Sequence, residues 1–276
     1  MLQNEILSVA RRQSAEDVGC SADDFQRPTP VVCPYAPGPG RRRYYSDPIA
    51  ATLISYGTGL VASGQEAYLP LLRRYTHEVT WYHAFETPAL HALDDAFAPY
   101  GQRVCFMAEY WLPDVRILRD LPLPQGLTLR TLTAPDFAAL YLPEWGNALC
   151  ADRKELDVLG LGAYSGDTLV GFAACSADCD SMWQIGVDVL PDFRRRGLAS
   201  CLTSRLAGMI LERGRVPFYC CAWSNLPSAR NAIAAGFRPA WAEVTVKPAA
   251  FTQSLMPSME NREPTVFLPQ STGDPN

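Results

Sequence analysis

Three consecutive arginines and a glycine are the residues of this chain best suited to binding an anion. Arg194, Arg195 and Arg196 precede Gly197, a β-branched apolar run comes before them, and an amphipathic segment begins at Leu198. The first N–H groups of a helix have no partner within the helix, guanidinium groups bind phosphate oxygens, and glycine lets the backbone approach a ligand closely. The segment therefore predicts a phosphate-binding turn, with a solvated basic turn as the alternative.

The segments around this turn alternate between strand and helix patterns. A proline-rich stretch, 118–126, comes first and reads as a linker. The residues after it predict a strand at 127–132, a helix start at 133–135, a hairpin of 156–164 and 168–175, a strand at 183–190, a helix from 198 to 214, a strand at 216–223, a short helix at 228–235 and a strand at 240–246. This order predicts a mixed α/β domain in which the basic turn joins a buried strand to a helix.

The motif Arg194-x-x-Gly197-x-Ala199, in this context, resembles the acetyl-CoA pyrophosphate loop (Q/R-x-x-G-x-G/A) of the GNAT N-acetyltransferase superfamily. Residues 223–237 resemble a second family segment, in which an Asn follows the fifth strand and Gly-Phe ends the next helix. The resemblance covers about 126–247, and more loosely the chain is similar to bacterial two-part members of the superfamily. It implies the GNAT acyl-CoA N-acyltransferase fold, an α/β fold with a mixed (α+β) sheet, preceded by a smaller α+β N-terminal region.

The resemblance also implies a reaction and a cosubstrate site. The reaction is transfer of an acetyl group from acetyl-CoA to a primary amine of a small molecule or peptide, by direct attack in a ternary complex. The implied acetyl-CoA residues are Val187, Val189, Arg194, Arg195, Arg196, Gly197, Leu198, Ala199, Asn225 and Ser228. The backbone N–H of Val189 is implied as the donor that polarises the thioester carbonyl. For Asn225 and Ser228, helix capping is an equally good interpretation.

Two acidic residues are candidates for the base that deprotonates the amine. Asp188 shares a strand face with Gln184 and Gly186, and a carboxylate in a central strand is costly unless it is paired. We therefore expect Asp188 to be a base or substrate-binding acid, or else a structural partner for a buried arginine or a backbone N–H. Glu144, in Leu-Pro-Glu-Trp-Gly, is the second candidate because the family shapes its acceptor site there.

The proton donor for the leaving thiolate is not identified by the resemblance. Many family members carry a tyrosine four residues before the Gly of Gly-Phe, where this chain has Ala232. Tyr219, Ser224 or a water could substitute. The missing tyrosine leaves open an alternative function, a non-catalytic acyl-CoA-binding or regulatory module.

The length of 276 residues suits about two domains. We expect an N-terminal α+β region of unassigned function at 1–117, a linker at 118–126, the acetyltransferase domain at 127–247 and a flexible tail at 248–276. Within the N-terminal region the pattern predicts strand at 53–62 and 103–111 and helix at 65–75 and 88–98. The run Arg41, Arg42, Arg43 predicts a solvated loop, with a second anion site or an RNA contact as the alternatives.

Charge and cysteine usage exclude several classes of protein. The net charge of −5 leaves no global basic field for nucleic acid, so an interaction domain built on the arginine clusters is disfavoured. The sequence predicts neither a membrane span nor a signal peptide. Nine scattered cysteines and three histidines predict reduced thiols in a cytoplasmic protein with no metal site. The expected partners are acetyl-CoA and an amine acceptor, without nucleic acid or membrane, and a homodimer is an open alternative to a monomer.

Overall fold

Ten strands form one mixed sheet in the computed structural model, which describes residues 1–45 and 48–255. The strands are β1 (Val31–Pro34), β2 (Ala51–Ser55), β3 (Val61–Gly64), β4 (Gln102–Pro113), β5 (Thr128–Thr133), β6 (Asp157–Ser165), β7 (Thr168–Ser176), β8 (Met182–Val189), β9 (Val216–Cys221) and β10 (Phe237–Pro248). Their order across the sheet is β1-β3-β2-β10-β4-β9-β8-β7-β6-β5. The pairs β1–β3 and β8–β9 are parallel, and the other neighbours are antiparallel.

Helices cover both faces of this sheet. The α-helices are α1 (Gln3–Val18), α2 (Leu69–Glu78), α3 (Thr87–Phe97), α4 (Leu198–Glu212), α5 (Leu226–Ala234) and α6 (Ala249–Ser254). Short 3-10 helices lie at Ala22–Gln26, Glu66–Tyr68, Trp81–His83, Ala98–Tyr100, Ala134–Ala139, Pro143–Trp145, Ala151–Leu156 and Pro191–Phe193. No helix in the described ranges is both long enough and apolar enough to cross a bilayer.

Strand β4, which comes from the N-terminal region, lies inside the sheet of the C-terminal region. It pairs with β10 on one side, where Ala108 faces Glu243, and with β9 on the other, where Tyr110 faces Cys220. The second neighbour of β10 is β2. The regions on either side of 118–126 therefore share one continuous sheet.

Adjacent residues of the central strands point to opposite faces and so belong to different cores. Trp111 and Tyr219 pack with α4 and α5, whereas their neighbours Tyr110 and Phe218 pack with α1 and Trp241. This follows from the two-residue period of a strand. We call the α4–α5 side the helix face and the α1 side the N-terminal face.

Most of the sequence-predicted elements are confirmed. The hairpin is β6–β7, the strand before the basic turn is β8, and the helix after it is α4. The strands and helices at 216–246 are β9, α5 and β10, with ends shifted by a few residues. The predictions at 65–75, 88–98 and 103–111 correspond to α2, α3 and β4.

Three details of the sequence interpretation were wrong, namely the strand at 53–62, the helix after Thr133 and the omission of α1. The segment 53–62 is not one strand, because a turn at Gly57 (φ 81°) separates β2 from β3. The helix expected after Thr133 is only the short 3-10 helix Ala134–Ala139, and helix α1 was not predicted. The predicted tail begins inside the end of β10 and helix α6, and its part from residue 256 onward lies outside the described residues.

Candidate active site

A cleft opens where strands β8 and β9 stop pairing. The two strands run in parallel, and their register in the described structure covers Met182–Gln184 of β8 against Val216–Phe218 of β9. Both strands continue beyond this point, to Val189 and Cys221. A cavity of about 990 Å³ lies in the opening and is bordered by β8, β9, the start of α5 and parts of β4 and β10.

The backbone of β8 offers unpaired groups to this cleft. Leu190 N donates to Val170 O at 2.9 Å, on the β7 side. In an antiparallel ladder only alternate residues bond to a given neighbour, so Asp188 and Gly186 also bond toward β7. Val187 and Val189 therefore direct their N–H and C=O groups to the other side, into the cleft. This is the alternation that a ligand needs if it is to add to β8 like a strand.

The basic turn closes one end of the cleft. The Nε of Arg194 donates to Val189 O at 2.7 Å, which ties the turn to the end of β8. Arg195 has a φ of 60° and Gly197 a φ of 78°, both in the left-handed region that favours glycine. The guanidinium of Arg196 lies 5.6 Å from the ring centre of Phe193. The turn thus leaves the side chains of Arg195 and Arg196 exposed beside the start of α4.

Helix α4 begins directly after Gly197 and lacks a side-chain cap among the described residues. Its first internal bond runs from Cys201 N to Gly197 O, so the preceding N–H groups are available to an external acceptor. Leu198 is buried against the sheet and fixes the helix, while Ala199 borders the cavity. This end of the cleft therefore carries free N–H groups and guanidinium groups, which are the donors that suit an anion.

The opposite wall of the cleft is formed by β9 and the start of α5. Asn225 caps α5 by accepting a bond from Ser228 N at 3.3 Å, and both residues border the cavity. The hydroxyl of Tyr219 lies 2.8 Å from Ser228 Oγ. Burial raises the pKa of Tyr219, so its phenol is protonated near neutral pH and can donate a proton. Ser224 is exposed in the preceding turn and does not border the cavity.

Asp188 is fully hydrogen-bonded to the loop that covers the N-terminal face of β8. Its carboxylate accepts bonds from Asn147 N at 2.8 Å, Asn147 Nδ2 at 2.6 Å and Ala148 N at 2.9 Å. The loop lies so close that a Cβ on Gly186 would be 1.9 Å from Asn147 O. This geometry favours the structural interpretation of Asp188. Glu144 is exposed on Pro143–Trp145 and does not border the cavity.

The run Arg41, Arg42, Arg43 is not wholly a solvated loop, so that prediction was wrong for Arg42. The side chain of Arg42 is 0% exposed and is ion-paired with Asp17 of α1. Its Nη1 donates to Tyr44 Oη at 2.8 Å. The sequence interpretation failed here because the acid that pairs with Arg42 is 25 residues away along the chain.

Glu243 was missed by the sequence interpretation. It lies on β10, borders the cavity from the N-terminal face and is 3% exposed. Tyr45 donates a hydrogen bond to Oε1, whereas Oε2 has no hydrogen-bond partner in the described structure. Burial raises the pKa of Glu243, and Arg42 opposes this effect. The available signal was an acid within an otherwise apolar strand pattern, the same signal that drew attention to Asp188.

The structure brings most of the predicted site residues together. Those bordering the cavity are Val187, Asp188, Val189, Arg194, Ala199, Tyr219, Asn225 and Ser228. Arg195, Arg196, Gly197 and Leu198 belong to the adjoining turn and helix start, and Glu144 and Ser224 lie apart. Within the described ranges, no cluster of three or more His, Cys, Asp or Glu side chains has the geometry of a metal site.

Comparisons with known proteins found similar chains among solved structures and one matching family model. Solved structures with similar chains include a GCN5-related N-acetyltransferase-like protein from Streptococcus suis (19% identity, 59% of this chain and 68% of that one, TM-score 0.43). Others are a GCN5-related N-acetyltransferase from Kribbella flavida (18%, 55% and 62%, 0.44) and an aminoglycoside N-acetyltransferase in complex with CoA (22%, 43% and 93%, 0.34). No curated protein matches the chain. Residues 121–240 match the family model of the GNAT acetyltransferases, and this segment of the chain belongs to the GNAT superfamily.

Proposed function

We propose that the protein is an N-acetyltransferase that moves an acetyl group from acetyl-CoA to a primary amine of a small molecule or peptide. The carrying observation is the cleft between β8 and β9, into which Val187 directs its N–H and C=O groups and Val189 its N–H group without a strand partner. The cleft ends on the basic turn that follows β8. Amide pairing along its length and anion binding at its end suit an acyl-pantetheine chain that carries a pyrophosphate.

The residues of the cleft fit acetyl-CoA in size and in chemistry. The cavity of about 990 Å³ is large enough for an extended cosubstrate together with an acceptor. Arg194, Arg195 and Arg196, with the free N–H groups at the start of α4, would hold the pyrophosphate. A side chain at Gly197 would meet open space, so its left-handed φ is what calls for glycine there. Val187 would pair with a pantetheine amide, and the N–H of Val189 would remain for the thioester carbonyl, because Val189 O already accepts from Arg194 Nε.

The chemistry follows from groups placed around the end of β8. Acetyl-CoA, when bound, supplies a thioester carbonyl carbon that an amine can attack. The N–H of Val189 would donate to the carbonyl oxygen, and one fixed donor of this kind is worth about 3 kcal/mol in acyl transfer. The amine nitrogen forms a bond to the carbonyl carbon, the carbon–sulfur bond breaks, and Tyr219 would protonate the departing thiolate. The nitrogen loses a proton to solvent water as the amide forms, and solvent returns a proton to the Tyr219 phenolate, so that the products are the acetylated amine and the CoA thiol.

We propose that the acceptor enters from the N-terminal face. On that side the cavity is bordered by Tyr44 and Tyr45, by Ala108 and Tyr110 of β4, and by the loop that Asp188 anchors. The N-terminal region 1–117 would thus complete the acceptor site for the acetyltransferase region 127–247. All nine cysteines, which lie in the described residues, are free thiols, and this supports a cytoplasmic location.

Acetyl-CoA binding and thiol release test this proposal on the full chain. Acetyl-CoA at a hundred times a micromolar Kd is expected to stabilise the folded state by about 2.7 kcal/mol and so to raise the melting temperature. A panel of primary amines should then release CoA thiol in the presence of acetyl-CoA. An unchanged melting temperature contradicts the proposal. Binding without thiol release across the panel favours the non-catalytic acyl-CoA-binding alternative.

A further inference from the structure

Glu243 accepts fewer hydrogen bonds than the other two acids that border the cavity, Asp157 and Asp188. Asp157 accepts bonds from Cys150 N, Tyr141 and Ser176, and Asp188 accepts its three from the covering loop. Glu243 has one such donor, Tyr45, on Oε1. Its Oε2 and the indole Nε1 of Trp241, which lies close enough to lower the pKa of Glu243, are both buried outside hydrogen-bond geometry in the described structure, although Glu243 borders the cavity. A buried polar atom without a partner is costly, so a cavity-facing one points to a missing donor.

The neighbouring cation is already committed to another acid. Arg42 donates to Asp17 through its backbone N at 2.7 Å and is ion-paired with the same carboxylate through its guanidinium. Arg153 is likewise ion-paired, through its side chain alone, with Asp178, and 2.7 Å separate Nη1 from Oδ1. Each of these pairs is neutral as a unit. Lys247, a buried cation of β10 that also borders the cavity, places its Nζ 4.7 Å from the ring centre of Phe251. The charge of Glu243 therefore remains open to a cationic partner that arrives from the cavity.

The rings around Glu243 suit a positive charge, and they already lie near one, because the guanidinium carbon of Arg42 is 5.5 Å from the ring centre of Tyr44, 5.6 Å from that of Tyr45 and 5.9 Å from that of Tyr110. Tyr45, which bonds to the carboxylate, stacks on Tyr44 with ring centres 4.8 Å apart, and both border the cavity. Tyr110 borders it from β4. Aromatic rings with a carboxylate between them bind ammonium and guanidinium groups better than neutral ones.

The position of Glu243 in the sheet sets its distance from the reacting centre. Glu243 faces Ala108 of β4, and β4 in turn pairs with β9, which borders the cleft. Two strand spacings of about 4.8 Å separate β10 from β9, so the carboxylate lies about 10 Å from the near wall of the cleft. The small side chain of Ala108 lies between them and borders the same cavity. One acceptor molecule can therefore reach both places.

We propose that Glu243 binds a second cationic group of the acceptor, at least about 10 Å from the nitrogen that is acetylated. The acceptor class is then a molecule with two separated positive charges, and Glu243 determines specificity by contacting the distal one. This inference rests on the proposed acetyl transfer and deepens it by naming the acceptor class.

The test compares hexylamine with diaminooctane as acceptors in thiol-release kinetics. Extended diaminooctane places its second ammonium near Glu243, and hexylamine has no second charge. The wild type should show a kcat/KM at least about tenfold higher for the diamine, because a buried charge pair that loses one partner is strongly weakened. The substitution Glu243→Gln should abolish this preference, so that kcat/KM for the diamine falls to about that for hexylamine. The matched control is Glu109→Gln on β4. Glu109 does not border the cavity, so this variant should keep the preference for the diamine.

Calorimetric titration of diaminooctane into the CoA-saturated full chain gives a readout that needs no turnover. The wild type and Glu109→Gln should bind the diamine about tenfold more tightly than Glu243→Gln. If Glu243→Gln does not fold, Tyr45→Phe removes the donor to Oε1 and should reduce the preference about threefold. Equal use of both amines by the wild type, or a preference that survives Glu243→Gln, overturns the inference alone. If the wild type binds no acetyl-CoA or releases no thiol with any amine, the proposed function is contradicted. The calorimetric comparison of diamine binding by the wild type and Glu243→Gln then tests the role of Glu243 by itself.

Discussion

Replacement of Asp188 by Asn distinguishes a structural acid from a catalytic base. In the structure, Oδ2 accepts two backbone N–H groups, from Asn147 and Ala148, and Oδ1 accepts the Asn147 side-chain amide. An asparagine at 188 can turn its oxygen toward the two backbone donors. Its amide group then meets the Asn147 side chain, which can rotate to present its own oxygen.

The expected cost of Asp188→Asn is therefore the loss of charge assistance, about 1–2 kcal/mol in the free energy of unfolding. Asp188→Ala leaves three donors without their acceptor in a half-buried site and should cost about 3 kcal/mol. Asn147→Ala removes only the side-chain donor and keeps the two backbone bonds, so it should cost about 1 kcal/mol. Urea denaturation of the full chain measures all three values.

Thiol-release kinetics on the same variants completes the test. If Asp188 only anchors the loop, Asp188→Asn should keep kcat within about tenfold and leave the pH dependence of kcat/KM unchanged. A base in direct contact with the amine contributes about a hundredfold to ten-thousandfold. A loss of that size without a matching loss of stability would refute the structural interpretation of Asp188.

Three further predictions concern Arg196 of the basic turn, the buried acid Asp178 and the phenol of Tyr219. Arg196→Glu should weaken acetyl-CoA binding about tenfold or more in calorimetry, because it opposes the pyrophosphate charge, and an unchanged Kd would remove Arg196 from the site. Burial raises the pKa of Asp178 from 3.8 to about 6 despite Arg153. The folded state therefore binds the proton of Asp178 more tightly than the unfolded state does. The resulting stabilisation is fully present below pH 3.8 and is lost as the pH rises through 6. Denaturation at several pH values should show that the free energy of unfolding of the wild type falls by about 3 kcal/mol over this window, relative to that of Asp178→Asn. A difference between the two proteins that does not change with pH would contradict this prediction. Tyr219→Phe should lower kcat at least about tenfold at constant acetyl-CoA Kd, and an unchanged kcat would exclude the phenol as proton donor.

Local features of the site could be predicted from the sequence. Strand β8, the turn at Arg194 to Gly197 and helix α4 follow one another in the chain, so their patterns and their mutual placement are encoded in neighbouring residues. The alternation of β8 likewise predicts that Asp188 and Gly186 share a face. Both lie toward the Asn147 loop.

Features that depend on distant parts of the chain could not be predicted. The buried side of α1 includes Gln13, Ser14 and Asp17, which bond to other buried groups, so its pattern lacks a continuous apolar stripe. The place of β4 between β9 and β10 is a non-local pairing with no signal in its own residues. The exposure of Glu243 to the cavity depends on that pairing and therefore could not be inferred either.

Hydrogen exchange of the full chain with and without acetyl-CoA tests the central claim most directly. The N–H groups of Val187 and Val189 have no strand partner on the cleft side, and those at the start of α4 lack acceptors in the described structure. Acetyl-CoA should therefore slow exchange in peptides that contain these residues and leave the β5–β6 edge unchanged. Unchanged exchange at Val187 and Val189 under saturating acetyl-CoA, or protection confined to another part of the chain, would contradict an acetyl-CoA site between β8 and β9.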